Sequence, residues 1–344
     1  MTERILCIQL RRIGDVLMTT PAVRALRRAY PRAHIAFLTE APADQVYRHS
    51  PHVDEVIVWP RKAGVGERLK AAWALRRRRF DAVLDFFGNP TSAQITRLTG
   101  APTRVGFDFP GRRRAYTHRI RTPEGRRFAA YHKTLLLQPL GAEPDGLLPE
   151  IHYGEHEHAY AQRQAAELGI VPGDFVVALS PVSRQPYKVW PAQRFAAVAD
   201  ALAERYGAKI LLFWGPGEED MVDAVRAAMT HSALPGYPVP TLLEMAALLQ
   251  RCDVYVGNDN GPRHFAVAVG TPTVAVFGRP HPENWTPPDE PRHTAVAYDP
   301  GCKAACTYPR CAHLACINEV PVQDVQTAAF TLIDELRHGD AVSG

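Results

Sequence analysis

Residues 253–278, DVYVGNDNGPRHFAVAVGTPTVAVFG, constrain the fold more than any other part of the chain. Two short apolar runs, 253–256 and 273–277, are rich in β-branched residues, as strands buried on both faces of a parallel sheet are. A helical pattern between them begins at Gly261-Pro262, where proline is favoured because its missing N–H would have no partner. We therefore predict a strand, a polar turn, a helix and a strand, with an anion site at the turn.

The same β–α alternation runs through the rest of the chain and predicts an α/β fold with doubly wound parallel sheets. The first strand, 4–10, is not followed by a G-x-G-x-x-G turn, which argues against a dinucleotide-dependent dehydrogenase. From residue 140 to residue 174 the composition shifts to Gly, Pro, Glu and His, and we place an interdomain linker near 144–154. We expect one domain over 1–152 and a second over 153–344.

Length and composition limit the class of protein. A chain of 344 residues with 46% hydrophobic content can bury two cores. No apolar run has membrane-spanning length and no signal peptide is recognisable, so we expect a cytoplasmic protein. The net charge of +4 is too small to name a partner. Basic runs at 76–79, 112–114 and 126–127 are typical of solvated faces, or alternatively of surfaces facing anionic lipid.

The six cysteines fall into two groups. Two lie in apolar patterns and are interpreted as core residues, namely Cys7 and Cys252. The other four follow a C-x3-C-x4-C-x4-C spacing: Cys302, Cys306, Cys311 and Cys316. This spacing favours a structural zinc or iron site slightly over free or disulfide-bonded thiols, and a catalytic role least. His152, His156 and His158 are interpreted as part of a solvated linker.

Two segments resemble glycosyltransferase family 9, the ADP-heptose:lipopolysaccharide heptosyltransferases. GNDNGPRHFAVAVGTPTVAVFG is similar to the family's G-D-T-G-x-x-H-x-A-A-A-x-G-x-P signature, which cradles the diphosphate of a sugar nucleotide. The chain differs in having Asn260 where the family usually has Thr, and Arg263 where Met, Leu or Ser is usual. RRIGDVLMTTPAVRALRRAYPRAHIAFLT resembles the family's N-terminal signature, whose aspartate is the proposed catalytic base.

The resemblance implies a GT-B architecture, with two Rossmann-like doubly wound parallel-sheet domains facing across a cleft. The first domain would bind the acceptor and the second the nucleotide sugar, with the last helix, about 322–337, packing back on the first domain. It also implies an inverting, metal-independent transfer of a heptosyl group from ADP-heptose to an anionic glycolipid, the lipopolysaccharide inner core. The expected location is cytoplasmic, with peripheral contact to the inner face of the inner membrane, and catalysis needs no cofactor.

The resemblance also assigns site residues. Asp15 matches the catalytic base. Lys188-x-Trp190-Pro191 resembles the family's K-R/H-W-P motif, whose lysine neutralises nucleotide phosphate. Glu218 follows a strand as a ribose-binding acid does, although it could equally be a helix-start acid. The donor-side candidates are Ser183, Lys188, Glu218, Asp259, Asn260, Gly261, Pro262 and His264. The acceptor-side candidates are Arg11, Arg61, Lys62, Arg112, Arg113 and His132.

Three alternatives remain open. A related transferase could use another nucleotide sugar, or a polysaccharide or protein acceptor. A scaffold of the same fold without turnover is favoured by Asn260 and Arg263, and disfavoured by the presence of Asp15 and Lys188. A nucleic-acid-binding protein ranks last, since no aromatic-interleaved or zinc-finger pattern accompanies the basic runs. We therefore expect no nucleic-acid partner.

Overall fold

The structure is a computed structural model that describes residues 2–279, 281–302, 306 and 310–342. The chain forms two compact units, Met1–Tyr153 and Gly154–Gly344. Each unit contains one sheet, and every strand pairing is parallel. The predicted pair of parallel-sheet α/β units is therefore confirmed.

The sheet of the first unit has six strands. They are β1 (Arg4–Ile8), β2 (His34–Thr39), β3 (Glu55–Val58), β4 (Ala82–Asp85), β5 (Thr103–Phe107) and β6 (His118–Ile120). Their order in the sheet is β3-β2-β1-β4-β5-β6. The order reverses between β1 and β4, so the connections that leave these strands run to opposite sides. Such a reversal opens a crevice at the carboxyl ends of the two strands.

The helices of the first unit follow strands β1, β3, β4 and β6 in the chain. They are α1 (Ile13–Leu17), α2 (Thr20–Ala29), α3 (Val65–Arg77), α4 (Pro90–Thr99) and α5 (Ala129–Thr134). Residues Ala43–Tyr47 form a 3-10 helix. Helix α4 begins with a capping box, in which the Asn89 side chain accepts from the Ser92 N–H at 2.7 Å.

The sheet of the second unit has five strands. They are β7 (Val176–Ser180), β8 (Lys209–Leu212), β9 (Val254–Asn258), β10 (Thr273–Phe277) and β11 (His293–Ala297). Their order is β11-β10-β9-β7-β8, which reverses between β7 and β9. Every residue of β7, β9 and β10 is buried, as expected for strands that are covered on both faces.

The last helix packs within its own unit. The helices of the second unit are α6 (Glu155–Glu167), α7 (Ala192–Tyr206), α8 (Glu219–Ala228), α9 (Leu242–Leu249), α10 (Gly261–Ala268), α11 (Ala315–Asn318) and α12 (Val322–Val342). Helix α12 contacts α7, β10 and β11, and Asp334 on α12 pairs with Arg205 on α7 at 2.9 Å. These partners lie in the second unit, and the packing of this helix on the first domain stays a prediction. Within the described ranges, none of the helices combines the length and the apolar character needed to cross a bilayer.

Strands β7 and β9 approach each other closely at Gly257. A Cβ atom at this position would lie 2.6 Å from the Ser180 carbonyl oxygen and 2.5 Å from the Tyr255 hydroxyl. Neither the backbone nor the fully buried tyrosine can move away without disturbing the core. Glycine is therefore required here by space, not by its backbone angles.

We predict that Gly257→Ala lowers the free energy of unfolding by about 1–3 kcal/mol, because overpacking a tight core displaces its neighbours. Urea denaturation measures the loss. The matched control is Gly66→Ala in α3, where an added Cβ meets nothing within 4 Å and should cost no stability. An undiminished stability of Gly257→Ala would contradict the close approach.

Candidate active site

The donor-side candidates that follow β7 and β9 in the chain lie at the reversal between these two strands. Asn258, the last residue of β9, is fully buried and fixes this region. Its side chain accepts from the Trp190 N–H at 3.1 Å and donates to the Pro181 carbonyl at 2.7 Å. The loop that carries Lys188 is thereby tied to the end of β9. The sequence analysis assigned Asn258 to the turn, whereas the strand extends through it.

Lys188 and Asp259 form an ion pair in this crevice. The distance from Lys188 Nζ to Asp259 Oδ2 is 2.5 Å. The aspartate side chain is 2% exposed and the lysine side chain 19%. The other aspartate oxygen lies 3.9 Å from Arg263 Nη1 and 3.8 Å from His264 Nε2. One buried carboxylate therefore organises the two basic side chains and the imidazole, and it keeps the Lys188 ammonium at the mouth of the crevice.

Asn260 is the N-cap of α10. Its Oδ1 accepts from the Arg263 N–H at 3.0 Å and from the Tyr255 hydroxyl at 2.8 Å. Its Nδ2 donates to Ser180 Oγ at 3.1 Å and to the Val182 carbonyl at 2.9 Å. The sequence analysis placed this side chain among the groups that bind the sugar nucleotide. Both of its polar atoms are instead hydrogen-bonded within the protein. The helix start at Gly261 is therefore the part of this turn that favours an anion.

Arg263 holds a neighbouring loop and is completely buried. Its guanidinium donates to the Trp285 carbonyl at 2.9 Å and to Thr286 Oγ1 at 3.1 Å. It also lies over the Phe277 ring, 5.0 Å from the centroid. The departure from the family pattern at this position is thus a packing feature beneath the crevice.

His264 is buried beside Asp259 and its ring centroid lies 5.4 Å from that of Trp285. Burial lowers the pKa of His264 to about 4, with Arg263 and Lys188 acting in the same direction and Asp259 against them. The imidazole is therefore neutral at pH 7, and it can offer a ligand a hydrogen bond but no charge.

The remaining donor-side candidates lie on short loops. Ser183 is half-buried and its hydroxyl accepts from the Gln185 N–H at 3.2 Å. Pro262 occupies the first turn of α10. Glu218 is the N-cap residue of α8, and its Oε2 accepts from the Gly215 N–H at 2.9 Å. One oxygen of Glu218 is thus bonded within the turn that precedes α8. This contact corresponds to the interpretation of Glu218 as a helix-start acid.

Asp15 lies on α1, directly after β1, at the strand reversal of the first sheet. The residue before α1, Arg12, has a φ of 57°, which is a strained conformation for a non-glycine residue. Such strain costs of order 1–3 kcal/mol and is concentrated at functional sites. Burial raises the pKa of Asp15, while the charges of Lys133 and Arg12 oppose this rise. The carboxylate is therefore more basic than a solvated one.

Lys133 was missed by the sequence analysis. Its ammonium donates to Gln9 Oε1 at 3.0 Å and to the Phe86 carbonyl at 2.7 Å. Burial lowers its pKa, against the charges of Asp15 and Asp85. From the sequence alone, Lys133 cannot be told apart from a lysine on a solvated helix face. Only the fold brings α5 to the ends of β1 and β4. Its neighbour His132 is half-buried, and burial lowers its pKa as well.

Two of the acceptor-side arginines meet at one carboxylate. Arg11 Nε lies 3.9 Å and Arg61 Nε 3.6 Å from Glu40 Oε2. Burial raises the pKa of Glu40, with Arg61 and Arg11 opposing. Both arginines are exposed, as is Lys62 beside them. Glu40, directly after β2, was not singled out from the sequence.

The other two acceptor-side arginines have different surroundings. Arg113 donates to both carboxylate oxygens of Asp108, at 2.6 and 3.2 Å, so its guanidinium is already paired. Arg112 lines a groove of about 390 Å³ between the start of α4 and residues 110–115, together with Arg97 and Arg114.

The four late cysteines are half-buried. Burial raises the pKa of Cys316, and the charges of Cys311, Cys302 and Cys306 act in the same direction. Cys7 and Cys252 are buried in the core, and burial raises the pKa of each thiol. The expectation that Cys7 and Cys252 are core residues is confirmed. A metal at the four late cysteines stays a prediction.

We predict that acidification destabilises the protein through His264. The unfolded chain takes up the proton near pH 6.5 and the folded chain only near pH 4, so stability is full above pH 6.5 and falls as the pH drops toward 4. The loss at pH 5 is about 2 kcal/mol. Urea titrations should show a flatter pH profile for His264→Gln, whereas His158→Gln at an exposed position should follow the wild type. Parallel profiles for wild type and His264→Gln would be inconsistent with a buried neutral imidazole.

Known proteins resemble this chain over most of its length. Residues 68–313 match the model of glycosyltransferase family 9 (heptosyltransferase). Lipopolysaccharide heptosyltransferase 3 of Escherichia coli is 26% identical over 287 residues, which cover 80% of this chain and 83% of that protein.

Solved structures also resemble this chain over nearly all of its length. The glycosyl transferase family 9 protein from Veillonella parvula DSM 2008 superposes with a TM-score of 0.87 and 27% identity, covering 97% of this chain and 98% of that one. ADP-heptose lps heptosyltransferase II of E. coli gives a TM-score of 0.77 and 22% identity, with 97% and 99% covered. These likenesses confirm the predicted GT-B fold class. Because the family model matches more than half of the sequence, the chain belongs to glycosyltransferase family 9, the heptosyltransferase family, and is a glycosyltransferase.

Proposed function

We propose that this glycosyltransferase moves a heptosyl group from ADP-heptose to the inner core of lipopolysaccharide, with inversion at the anomeric carbon. One observation carries the proposal: Asp15 stands at the strand reversal of one sheet, and the Lys188–Asp259 pair stands at that of the other. Open α/β sheets bind ligands at such reversals. The names of the matched E. coli proteins, which include lipopolysaccharide and ADP-heptose, support this choice of acceptor and donor.

The second unit binds the donor. Lys188 and the positive end of α10 at Gly261-Pro262 hold the diphosphate, with the Ser183 hydroxyl beside them. Asp259 acts through Lys188, because the 2.5 Å ion pair fixes where the ammonium points. Neutral His264 donates one hydrogen bond to the donor. Glu218 accepts from the ribose hydroxyls with the oxygen that does not close its turn.

The first unit supplies the base. Asp15 takes the proton from the acceptor hydroxyl as that oxygen bonds to the anomeric carbon, and the bond from this carbon to the diphosphate oxygen breaks. ADP leaves with the bonding electrons, and its added charge is met by Lys188 and the helix start. The raised pKa of Asp15 makes it a better base than a solvated carboxylate, while the charge of Lys133 opposes this rise.

The same protein groups make a catalytic metal unnecessary in this scheme, because they already supply the positive charge that the leaving diphosphate needs. The four late cysteines hold a structural zinc or iron ion, with no part in the transfer. Four thiolates are a donor set that both metals accept.

The acceptor is an anionic glycolipid. Arg11 and Arg61, held side by side by Glu40, offer two guanidinium groups to its phosphate or carboxylate, with Lys62 beside them. Arg112 contributes from the groove that it shares with Arg97 and Arg114. His132 lies next to Lys133 and contacts the acceptor near the base. Arg113 shapes this region through Asp108, to which its guanidinium donates two hydrogen bonds.

We predict that Asp15→Asn lowers the rate of transfer from ADP-heptose to a deacylated inner-core acceptor by about 10²–10⁴-fold, since it removes the base. Its affinity for ADP should stay within about twofold of the wild type. Lys188→Ala should weaken ADP binding about tenfold or more, because it removes a charge from the diphosphate site. Calorimetry with ADP, UDP and GDP, together with a transfer assay, measures both effects.

Two variants serve as controls for these measurements. Lys209 pairs with Asp174 at 2.6 Å much as Lys188 pairs with Asp259, so Lys209→Ala tests the loss of a paired lysine elsewhere. Asp44→Asn, at a half-buried aspartate paired with Arg48 at 3.5 Å, tests the loss of a carboxylate outside the site. An Asp15→Asn enzyme with full activity would remove Asp15 from the mechanism. Tighter binding of UDP or GDP than of ADP would overturn the donor assignment while leaving the family unchanged.

Helix α3 carries a feature that fits a membrane-bound acceptor. Val65, Leu69 and Trp73 are 65%, 59% and 60% exposed, and their spacing of four residues places them on one face of the helix. The Arg77 guanidinium lies over the Trp73 ring at 4.7 Å. The basic residues of the helix, Arg68, Lys70, Arg76 and Arg77, are accompanied by one acid, Glu67. Apolar side chains beside basic ones are typical of helices that lie on anionic bilayers.

We propose that α3 rests on the anionic membrane surface that presents the acceptor. Leu69→Glu with Trp73→Glu should reduce cosedimentation with phosphatidylglycerol vesicles about tenfold or more, because it removes apolar contacts and adds negative charge. The matched control is Leu98→Glu, at an exposed leucine on α4. Undiminished binding of the double variant, or equal loss in the control, would exclude α3 as the contact.

A further inference from the structure

A cluster of three metal-ligating side chains lies in the first unit, away from Asp15. It consists of His52, between the 3-10 helix and β3, and of Glu150 and His152 in the last segment of the unit. Their ligand atoms all lie within 4.8 Å of one another, and no other such group of three occurs in the described part of the chain. Of the three histidines interpreted as a solvated linker, His156 and His158 are exposed, whereas His152 belongs to this cluster.

Both imidazoles point at the same carboxylate oxygen. Nε2 of His52 lies 2.9 Å from Glu150 Oε1, and Nε2 of His152 lies 3.5 Å from it. Ligand atoms around a tetrahedral zinc ion are about 3.3 Å apart, given its bonds of about 2.0–2.1 Å. The two observed separations lie on either side of this value.

Two atoms of the cluster are left without a hydrogen bond. Glu150 Oε1 and His152 Nε2 are buried, and neither has a partner with hydrogen-bond geometry among the described residues. Buried polar atoms without a partner are costly and often mark the place of an ion or water. Burial lowers the pKa of His52, against the charge of Glu150, which favours the neutral imidazole that a metal requires.

The carboxylate is held in position by its neighbours. Arg24 Nη1 donates to the other oxygen, Glu150 Oε2, at 2.7 Å, and the Glu150 N–H donates to Thr20 Oγ1 at 2.9 Å. Arg24 also pairs with Asp145 at 2.9 Å, which offsets its positive charge. Ile151 is buried between Glu150 and His152 and anchors the segment. Such outer contacts orient metal ligands in proteins.

We propose that His52, Glu150 and His152 bind a divalent transition-metal ion, with zinc the best match to two imidazoles and one carboxylate. The fourth position of the ion is left for water, as in three-ligand zinc sites. Because His52 and His152 are far apart in the sequence, the ion cross-links the end of the first unit to the connection before β3. The competing explanation is an ion pair between Glu150 and the histidines that binds no metal.

Cobalt titration of the metal-free, full-length protein tests the proposal. The site should bind one equivalent of Co²⁺ whose visible d–d bands carry no thiolate-to-cobalt charge transfer, and these bands are distinct from those of any cobalt bound at the four late cysteines. His52→Ala and His152→Ala should each weaken this binding by about 100-fold. His156→Ala, at an exposed histidine of the same segment, is the matched control and should bind as the wild type does. Unchanged spectra in His52→Ala and His152→Ala would overturn the proposal.

A second measurement needs no variant. Zinc should protect His52 and His152 of the wild-type protein from diethyl pyrocarbonate and leave His156 reactive, with each site followed by mass spectrometry. If His52 and His152 are modified equally with and without zinc, the cluster is an ion pair that binds no metal.

Discussion

The close approach of β7 and β9 is the constraint on which the donor side depends. Gly257 has no side chain, so the Ser180 carbonyl and the Tyr255 hydroxyl can pack against its backbone. Ser180, the last residue of β7, pairs with Gly257, the residue before the end of β9, so their loops emerge side by side at the reversal of strand order. Asn258 uses that proximity to tie the Lys188 loop to the end of β9 through two hydrogen bonds. The crevice is thus a consequence of packing in the sheet beneath it.

The charges of Asp259 and Asp15 are compensated to different degrees by the groups around them. Asp259 is almost inaccessible but lies among Lys188, Arg263 and His264, so its charge is compensated inside the second unit. Asp15 has no ion pair as close as that of Asp259 among the described residues, and burial raises its pKa while Lys133 limits the rise. A compensated carboxylate suits the positioning of a lysine, and a less compensated one suits proton transfer.

The sequence predicted the fold class and the positions of the two signatures, because strands, helices and glycine-containing turns leave local patterns. It did not predict Lys133, Glu40 or Asn258. Each of these side chains acts through a contact made by strand order, and strand order has no local pattern in the sequence. The closeness of His152 to His52 and Glu150 was not predicted for the same reason, since His52 lies in a distant part of the chain.

The two departures from the family signature are physically coupled. Asn260 accepts a hydrogen bond from the backbone of Arg263, and the Arg263 side chain holds the carbonyl of Trp285. Trp285 in turn lies against His264, one of the donor-side residues. Asparagine is a stronger N-cap than threonine, and its second polar atom also bonds the end of β7. The substitutions therefore form one connected support under the crevice and leave Lys188 and the start of α10 in place. Asn260 and Arg263 thus act as a helix cap and a packing residue, and neither gives a structural reason to prefer an inactive scaffold.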